Sequence, residues 1–215
     1  MPKARKYEYP QPEDRLLKDL EAYKNYALEI GASDAKIIRS DELIFDSRAW
    51  LKCRYPKCRW YGTNAHCAPY EPDPEDIKKR LLVFRFGILY RILVDTEEYT
   101  GEYYDSKGKS IPARNQKLNF KIASLVEAKA FYDGYTFATG FSGGPCKSVF
   151  CQDKECSALI PGEACRAAGK ARASMEGAGL NAIAMAIEAG WDVYPCAAQA
   201  EEVPYGTSLG LIMID

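Results

Sequence analysis

Cysteine is the residue type in this chain with the clearest capacity for chemistry, because its thiolate binds soft metal ions and iron–sulfur clusters. The chain has 215 residues and eight cysteines. Six of them form two sets with the same spacing, in which four and then eight residues separate the members: Cys53, Cys58 and Cys67, then Cys151, Cys156 and Cys165. Cys146 and Cys196 complete the eight. Eight thiolates can close two four-cysteine sites, so the pattern predicts two metal sites.

The spacing favours iron–sulfur clusters over structural zinc. Structural zinc sites commonly use close cysteine pairs with two to four intervening residues, and the pair Cys53 and Cys58 falls in that range. Neither set contains a C-x-x-C pair, however, and Cys67 has no close partner. Basic residues that could offset the negative charge of a thiolate-bound cluster, or simply solvate the loops, flank both sets: Arg48, Lys52, Arg54, Lys57, Arg59, then Lys147, Lys154, Arg166, Lys170 and Arg172. We therefore predict two [4Fe–4S] clusters, with zinc as the alternative.

The ligand assignment is complete for one site and open for the other. Four local cysteines can form the second site: Cys146, Cys151, Cys156 and Cys165. The first set supplies three, and we expect Cys196 to be its fourth ligand by elimination. Another ligand, an open iron, or a Cys196 that is simply a buried thiol are the alternatives. His66 adjoins Cys67, but adjacent residues rarely face one metal, so we expect His66 at the surface or behind the ligands.

Composition excludes some functions and suggests a compartment. The net charge of −1 argues against general nucleic-acid binding, which usually requires a basic excess. The first residues are charged and no apolar core follows them, so no secretory signal is expected. The apolar run 81–94 is interrupted by Arg85 and Arg91 and is too short to span a membrane. A cytoplasmic location is expected, where reduced thiols favour metal over disulfides.

The pattern of apolar residues predicts an α/β fold with an extended arm, 1–12, ahead of one domain, 13–215. Helices are predicted at 14–30, 72–84, 118–137 and 174–189, the last capped by Ser174. Strands are predicted at 35–39, 87–95, 191–194 and 208–214, a loop at 96–116, and a turn at 140–145. The order cysteine region, helix, strand occurs twice. It suggests an internal duplication with halves at about 35–95 and 140–215, in a mixed sheet with flanking helices and two cysteine-rich metal-binding loops.

Two further motifs are interpreted as structural. The sequence from Ser174 to Gly177 could present Glu176 as a site acid, but a capped helix start explains it equally well, and we favour that interpretation. The glycine-rich run 140–145 lacks the lysine and hydroxyl residue of a phosphate loop. We interpret it as the turn that brings the chain to a cluster.

The two cysteine regions resemble those of the predicted metal-binding proteins of domain-of-unknown-function family 2284, found largely in anaerobic archaea and bacteria. The matching stretches run from Lys52 to Gly62 and on through Pro69, then from Gly144 through the second cysteine set to Glu176. The family usually has proline where Ala68 and Ala173 stand here, and closer cysteine pairs in its second motif. The resemblance implies metal binding, with iron–sulfur clusters as the expected form, and implies no reaction.

Three functions follow from these patterns. The first is a redox protein of anaerobic metabolism, in which two clusters pass electrons to a partner protein. The second is an enzyme or sulfur-handling protein whose three-cysteine cluster has an open iron, since an open coordination position makes a metal reactive. The third is a zinc-stabilised interaction protein. No substrate, catalytic residue, redox partner or oligomeric state follows from the sequence.

Overall fold

Six helices and five strands alternate along the part of the chain that the computed structural model describes, which is residues 5–96, 98, 114–195 and 202–215. The helices are α1 Glu13–Glu29, α2 Ser47–Leu51, α3 Pro74–Leu81, α4 Arg114–Tyr132, α5 Cys146–Phe150 and α6 Ala182–Glu188. The strands are β1 Asp34–Arg39, β2 Phe86–Val94, β3 Thr139–Ser142, β4 Ala173–Ser174 and β5 Gly206–Met213. The predicted α/β class is confirmed.

The strands form one mixed sheet in the order β1-β2-β5-β3-β4. The β3–β4 pair is parallel and the other three pairs are antiparallel. The central pair is the longest, and its register runs from Gly87 opposite Met213 to Val94 opposite Gly206. The mixed sheet predicted from the sequence is therefore present.

Alternation along the central strands divides the core into two layers, because successive side chains of a strand point to opposite faces. Ile88, Tyr90 and Ile212 pack with the buried faces of α1 and α4. Leu89 and Leu211 pack on the other side, with residues of α6 and of the loops. Both faces of the sheet are thus covered, and the cysteine loops are built onto this covered sheet.

Two predicted helices are confirmed, each with the expected signals at its start. The buried stripe of α1 is Leu16, Leu20, Tyr23 and Ala27, and two acids lie in its first turn. In α3, Pro74 is the first residue and the Asp73 carboxylate accepts the Glu75 N–H at 2.9 Å. None of the helices described here is long and apolar enough to cross a membrane.

The last predicted helix begins eight residues later than expected. Ser174 belongs to β4, because its backbone pairs with Ser142 of β3. The Ser174 hydroxyl caps a turn and accepts the Gly177 N–H at 3.0 Å. Helix α6 starts instead after Asn181, whose Oδ1 accepts the Ala184 N–H at 3.0 Å, as a good N-cap residue does.

Three other boundaries differ from the prediction. Residues 140–142 form most of β3 rather than a turn, because they pair with β5. Helix α4 ends at Tyr132, five residues early. Residues 191–194 form no strand, and Trp191 is instead held by its Nε1 donating to Asp34 at 2.8 Å. Most of the loop predicted at 96–116 lies outside the described residues.

The same order of elements occurs on both sides of the central pair. Helix α1, β1, the first cysteine region, α3 and β2 are matched by α4, β3, the second cysteine region, α6 and β5. The order β1-β2-β5-β3 is symmetric about the β2–β5 pair. By the registers of the pairs, the first cysteine region leaves the sheet beside the Phe86 end of β2, and the second leaves beside the middle of β5, just after Phe141 pairs with Leu211.

Candidate metal centre

The first cysteine set lies in a series of turns between α2 and α3. The Cys53 N–H donates to the Trp50 carbonyl at 3.3 Å, and the Cys58 N–H donates to the Cys53 carbonyl at 3.2 Å. Cys67 follows in another turn, in which its N–H donates to the Asn64 carbonyl at 3.3 Å. Successive turns of this kind bring three half-buried thiols onto one short loop.

A buried ion pair holds the loop beside Cys53. The Arg54 guanidinium stacks on Trp50, 3.3 Å from the ring centroid, and donates to Glu71 Oε1 at 2.9 Å. The Glu71 side chain is only 3% exposed, and its Oε2 has no hydrogen-bond partner in the described part of the chain. Arg54 is thus paired with a carboxylate, as is Arg48, which binds Asp46 at 2.8 Å.

The basic residues that flank Cys53 in the sequence suggested positive surroundings, but the structure also places carboxylates near this thiol. Burial raises the pKa of the Cys53 thiol, and the neighbouring Cys58, Glu71 and Glu176 raise it further, whereas Arg54 lowers it. Two carboxylates therefore act against the cation next to this thiol. Glu176 is an exposed residue of the turn after β4, and it does not lie in the first turn of a helix.

The second cysteine set begins at α5 and continues through turns that lead to β4. Cys146 is the first residue of α5, and Cys151 is the residue at which α5 ends. Cys156 precedes a short 3-10 turn, and its carbonyl accepts the Leu159 N–H at 3.0 Å. Cys146 and Cys156 are buried, whereas Cys151 and Cys165 are half-buried.

Two contacts fix the shape of this second loop. The Ser157 hydroxyl accepts the Arg166 N–H at 3.0 Å and so joins the neighbours of Cys156 and Cys165. Arg172 binds the Glu127 carboxylate of α4 through two nitrogens, at 2.6 and 2.7 Å. Bidentate pairs of this kind are geometrically specific. Arg172, one of the expected neutralising cations, therefore ties the loop to a helix.

Asn64 joins the two cysteine sets. Its side chain is buried, and its Oδ1 accepts the His66 N–H at 3.1 Å and the Cys146 thiol at 3.6 Å. It also hydrogen-bonds Cys67, which partly offsets the burial that raises the Cys67 pKa to about 11. One amide thus contacts a thiol of each set.

Cys146 is electrostatically coupled to both sets. Burial raises the pKa of this thiol to about 12, with further increases from Cys67 of the first set and from Cys156, Cys165 and Cys151 of its own. The two loops, which leave the sheet at different positions, therefore converge at Cys146. This contact was not predicted, because Asn64 and Cys146 are 82 residues apart in the chain.

His66 is half-buried beside the junction. Its Nδ1 is buried without a hydrogen-bond partner among the described residues, and its backbone N–H is bound by Asn64. Burial lowers the pKa of the imidazole, and Arg172 lowers it further. The ring is therefore neutral near pH 7, the form in which histidine can bind a metal.

The donor set fits a thiolate-ligated metal or cluster. All seven described cysteines are free thiols, and they form two converging groups on loops rich in backbone N–H groups. In residues 5–96, 98, 114–195 and 202–215, no group of three or more His, Cys, Asp or Glu side chains is arranged to hold a metal ion. Cys196, the expected fourth ligand of the first site, lies outside the described residues.

Comparison with known proteins identifies a family but no characterised relative. The chain belongs to the predicted metal-binding protein family DUF2284, which matches residues 36–214 and confirms the resemblance found in the sequence. No curated protein matches the chain. No solved structure matches it either.

Proposed function

We propose that this protein holds two [4Fe–4S] clusters and passes electrons between them and a partner protein. Membership in a metal-binding family supports the presence of a metal site. The observation that carries the proposal is the convergence of the two cysteine sets, in which Asn64 contacts Cys67 and Cys146. Two clusters on these sets would be neighbours.

The surroundings of the thiols suit a redox site. Iron–sulfur clusters would supply one-electron transfer, at potentials set by net charge, burial and hydrogen bonds to sulfur. This chain provides burial and charge near the thiols. Cys146 is buried, and the carboxylates Glu71 and Glu176 act on Cys53.

The ligands proposed for the two sites follow the cysteine pattern. For the second site we propose the four local cysteines, Cys146, Cys151, Cys156 and Cys165. For the first site we propose Cys53, Cys58 and Cys67, with Cys196 as the fourth ligand. The matching order of elements about the β2–β5 pair supports an origin of the two sites by internal duplication. We place the protein in the cytoplasm of an anaerobe, where thiols stay reduced.

Metal analysis of anaerobically purified protein tests the proposal directly. We expect a brown protein with about eight iron and eight sulfide per chain, the content of two four-iron clusters. Electron paramagnetic resonance of the reduced protein should show magnetic interaction between the clusters, because the two sets adjoin. A colourless protein with about two zinc per chain would refute the proposal and support the interaction protein held together by structural zinc.

A second candidate function is an enzyme or sulfur-handling protein with an open iron at the first site. Three described thiols form that site, and the buried polar atoms near it that have no partner in the described part of the chain include Glu71 Oε2, His66 Nδ1 and Trp50 Nε1. A metal with three protein ligands can bind a substrate or sulfide at its fourth position. A Cys196→Ala variant that keeps both clusters, with one bound by three cysteines, would favour this function over electron transfer.

A further inference from the structure

A cavity of about 750 Å³ lies at a part of the molecule that contains no cysteine. Four segments line it: residues 7–11 ahead of α1, the last turn of α3 with the residues after it, the loop that joins α4 to β3, and the end of β5. Its volume falls within the range of small-molecule sites, about 300–1,000 Å³. The proposed function does not use it.

Aromatic side chains form a large part of the cavity wall. Five aromatic side chains line it: Tyr7, Tyr9, Phe84, Tyr135 and Phe137. Tyr9 is 91% exposed and Phe137 is 75% exposed, although large aromatic side chains gain free energy when they are covered. A flat ring held between these side chains would cover them and stack on their faces.

Gln11 supplies a hydrogen-bonding group that has no partner. Its side chain lines the cavity, the residue is only 6% exposed, and its Oε1 is buried without a hydrogen bond to any described residue. A buried acceptor without a partner costs about 1–3 kcal/mol. Because the last torsion of a glutamine side chain is soft, the amide can turn to meet a donor on a ligand.

One cation that lines the cavity is available to bind an anion. The two side-chain carboxylates of the lining are already paired, Glu8 with Arg15 at 2.6 Å and Asp215 with Arg85. Arg80 is exposed at the end of α3 and has no ion-pair partner in the described part of the chain. A guanidinium binds phosphate or carboxylate oxygens in a bidentate manner, so Arg80 can hold the anionic group of a ligand.

The wall made by residues 7–11 is held in place by the protein itself. The Gln11 carbonyl accepts from the Arg85 guanidinium at 3.3 Å, and Arg5 pairs with Asp19 of α1. On the opposite wall, the Tyr135 hydroxyl donates to the same Asp19 at 3.0 Å. The cavity is therefore formed before a ligand arrives, which lowers the entropic cost of binding.

We propose that this cavity binds a phosphorylated planar heteroaromatic molecule of mononucleotide size. The ring lies between the tyrosine and phenylalanine side chains, an N–H of the ring or of its exocyclic amino group donates to Gln11 Oε1, and the phosphate is bound by Arg80. Flavin mononucleotide and adenosine monophosphate both combine a planar heteroaromatic ring with a phosphate. They represent the two classes of molecule, flavin nucleotides and adenine nucleotides, that could occupy the cavity.

Isothermal titration calorimetry of the purified full-length protein with each nucleotide tests this site. We expect micromolar binding of at least one nucleotide, and binding weakened at least about tenfold for riboflavin or adenosine, which lack the phosphate. If only one of the two nucleotides binds, that result shows whether the ligand is a flavin nucleotide or an adenine nucleotide. The Arg80→Gln variant should weaken nucleotide binding at least about tenfold and leave binding of the unphosphorylated compound unchanged.

Two further variants test whether the effect of Arg80 is specific to its position and whether the aromatic side chains bind the ring of the ligand. Lys79→Gln removes a neighbouring exposed charge of the same helix that does not line the cavity, and it should bind the nucleotide as the unmodified protein does. Phe137→Ser removes an exposed ring and should weaken nucleotide and nucleoside alike. No binding of either nucleotide up to about 1 mM would overturn the proposal. Equal affinities of the Arg80→Gln and Lys79→Gln variants would also overturn it.

Discussion

Replacing Asn64 with aspartate places a negative charge between the two cysteine sets. The substitution keeps the oxygen that accepts the His66 N–H, and it loses the donation to Thr63 Oγ1 at 3.3 Å. The new carboxylate lies beside the Cys146 sulfur, which as a cluster ligand is a thiolate. Reduction adds negative charge to a cluster. A carboxylate at this position therefore disfavours the reduced state, and we expect the reduction potentials of both clusters to fall.

The size of the fall follows from the contact distance. Asn64 Oδ1 lies 3.6 Å from Cys146 Sγ, and a metal–thiolate bond adds about 2.3 Å, so the charge would act over about 6 Å. At an effective dielectric constant of about 20, that interaction is about 3 kcal/mol. About 1.4 kcal/mol corresponds to about 59 mV for one electron, which gives a fall on the order of 100 mV.

The assay is a potentiometric titration monitored by electron paramagnetic resonance at about pH 8, where the new carboxyl group is ionised unless burial raises its pKa by several units. Asn25→Asp is the matched control, since it adds the same charge at an exposed position of α1. The control should change both potentials by only a few millivolts because solvent and salt screen a distant surface charge. A fall in one potential alone, or in neither, would show that Asn64 does not join the two sites.

Four other substitutions and one control test the ligands of both sites and the support of the second loop. Replacing Cys151 or Cys156 with alanine should halve the iron content and leave the first cluster intact; unchanged iron would remove that residue from the ligand set. Cys196→Ala should lose the first cluster, and retention of both clusters would refute its assignment. Asn119→Ala should cost roughly 3 kcal/mol, because it deprives buried groups of partners, and should lower the Tm by about 6–12 °C. Ser124→Ala, also in α4, removes only a local bond at 3.2 Å and should change the Tm little; equal effects of the two would contradict this reasoning.

The sequence predicted those parts of the fold that depend on local patterns. The apolar stripe of α1, the Pro74 start of α3 and the apolar run of β2 each identify an element from neighbouring residues alone. The helix start predicted at Ser174 was wrong because a hydroxyl side chain can cap a turn as well as a helix. Here the backbone of Ser174 pairs with β3, so the residue caps a turn. Such pairing is a long-range contact and leaves no local pattern.

The residues of the candidate site also divide into those that local sequence patterns predicted and those that depend on long-range contacts. Spacing identified the cysteines, but the partners that determine their surroundings come from distant parts of the chain. Glu71 reaches Arg54 across 17 positions, and Asn64 reaches Cys146 across 82. An asparagine and a glutamate within loops carry no sign of such roles, because polar residues are ordinary in loops.

A buried polar network connects the centre of the sheet to the point where the two cysteine sets meet. The Tyr90 hydroxyl of β2 donates to Asn119 Oδ1 at 2.7 Å, and that oxygen also accepts the Gly143 N–H at 3.2 Å. Gly210 of β5 is required here, since a Cβ at that position would overlap the Tyr90 ring. Gly143 lies three residues before Cys146, so the network fixes the start of the second loop. The position of the thiol that meets the first set is therefore determined by a buried network at the centre of the sheet, and the two proposed clusters would need such a fixed position to keep a constant separation.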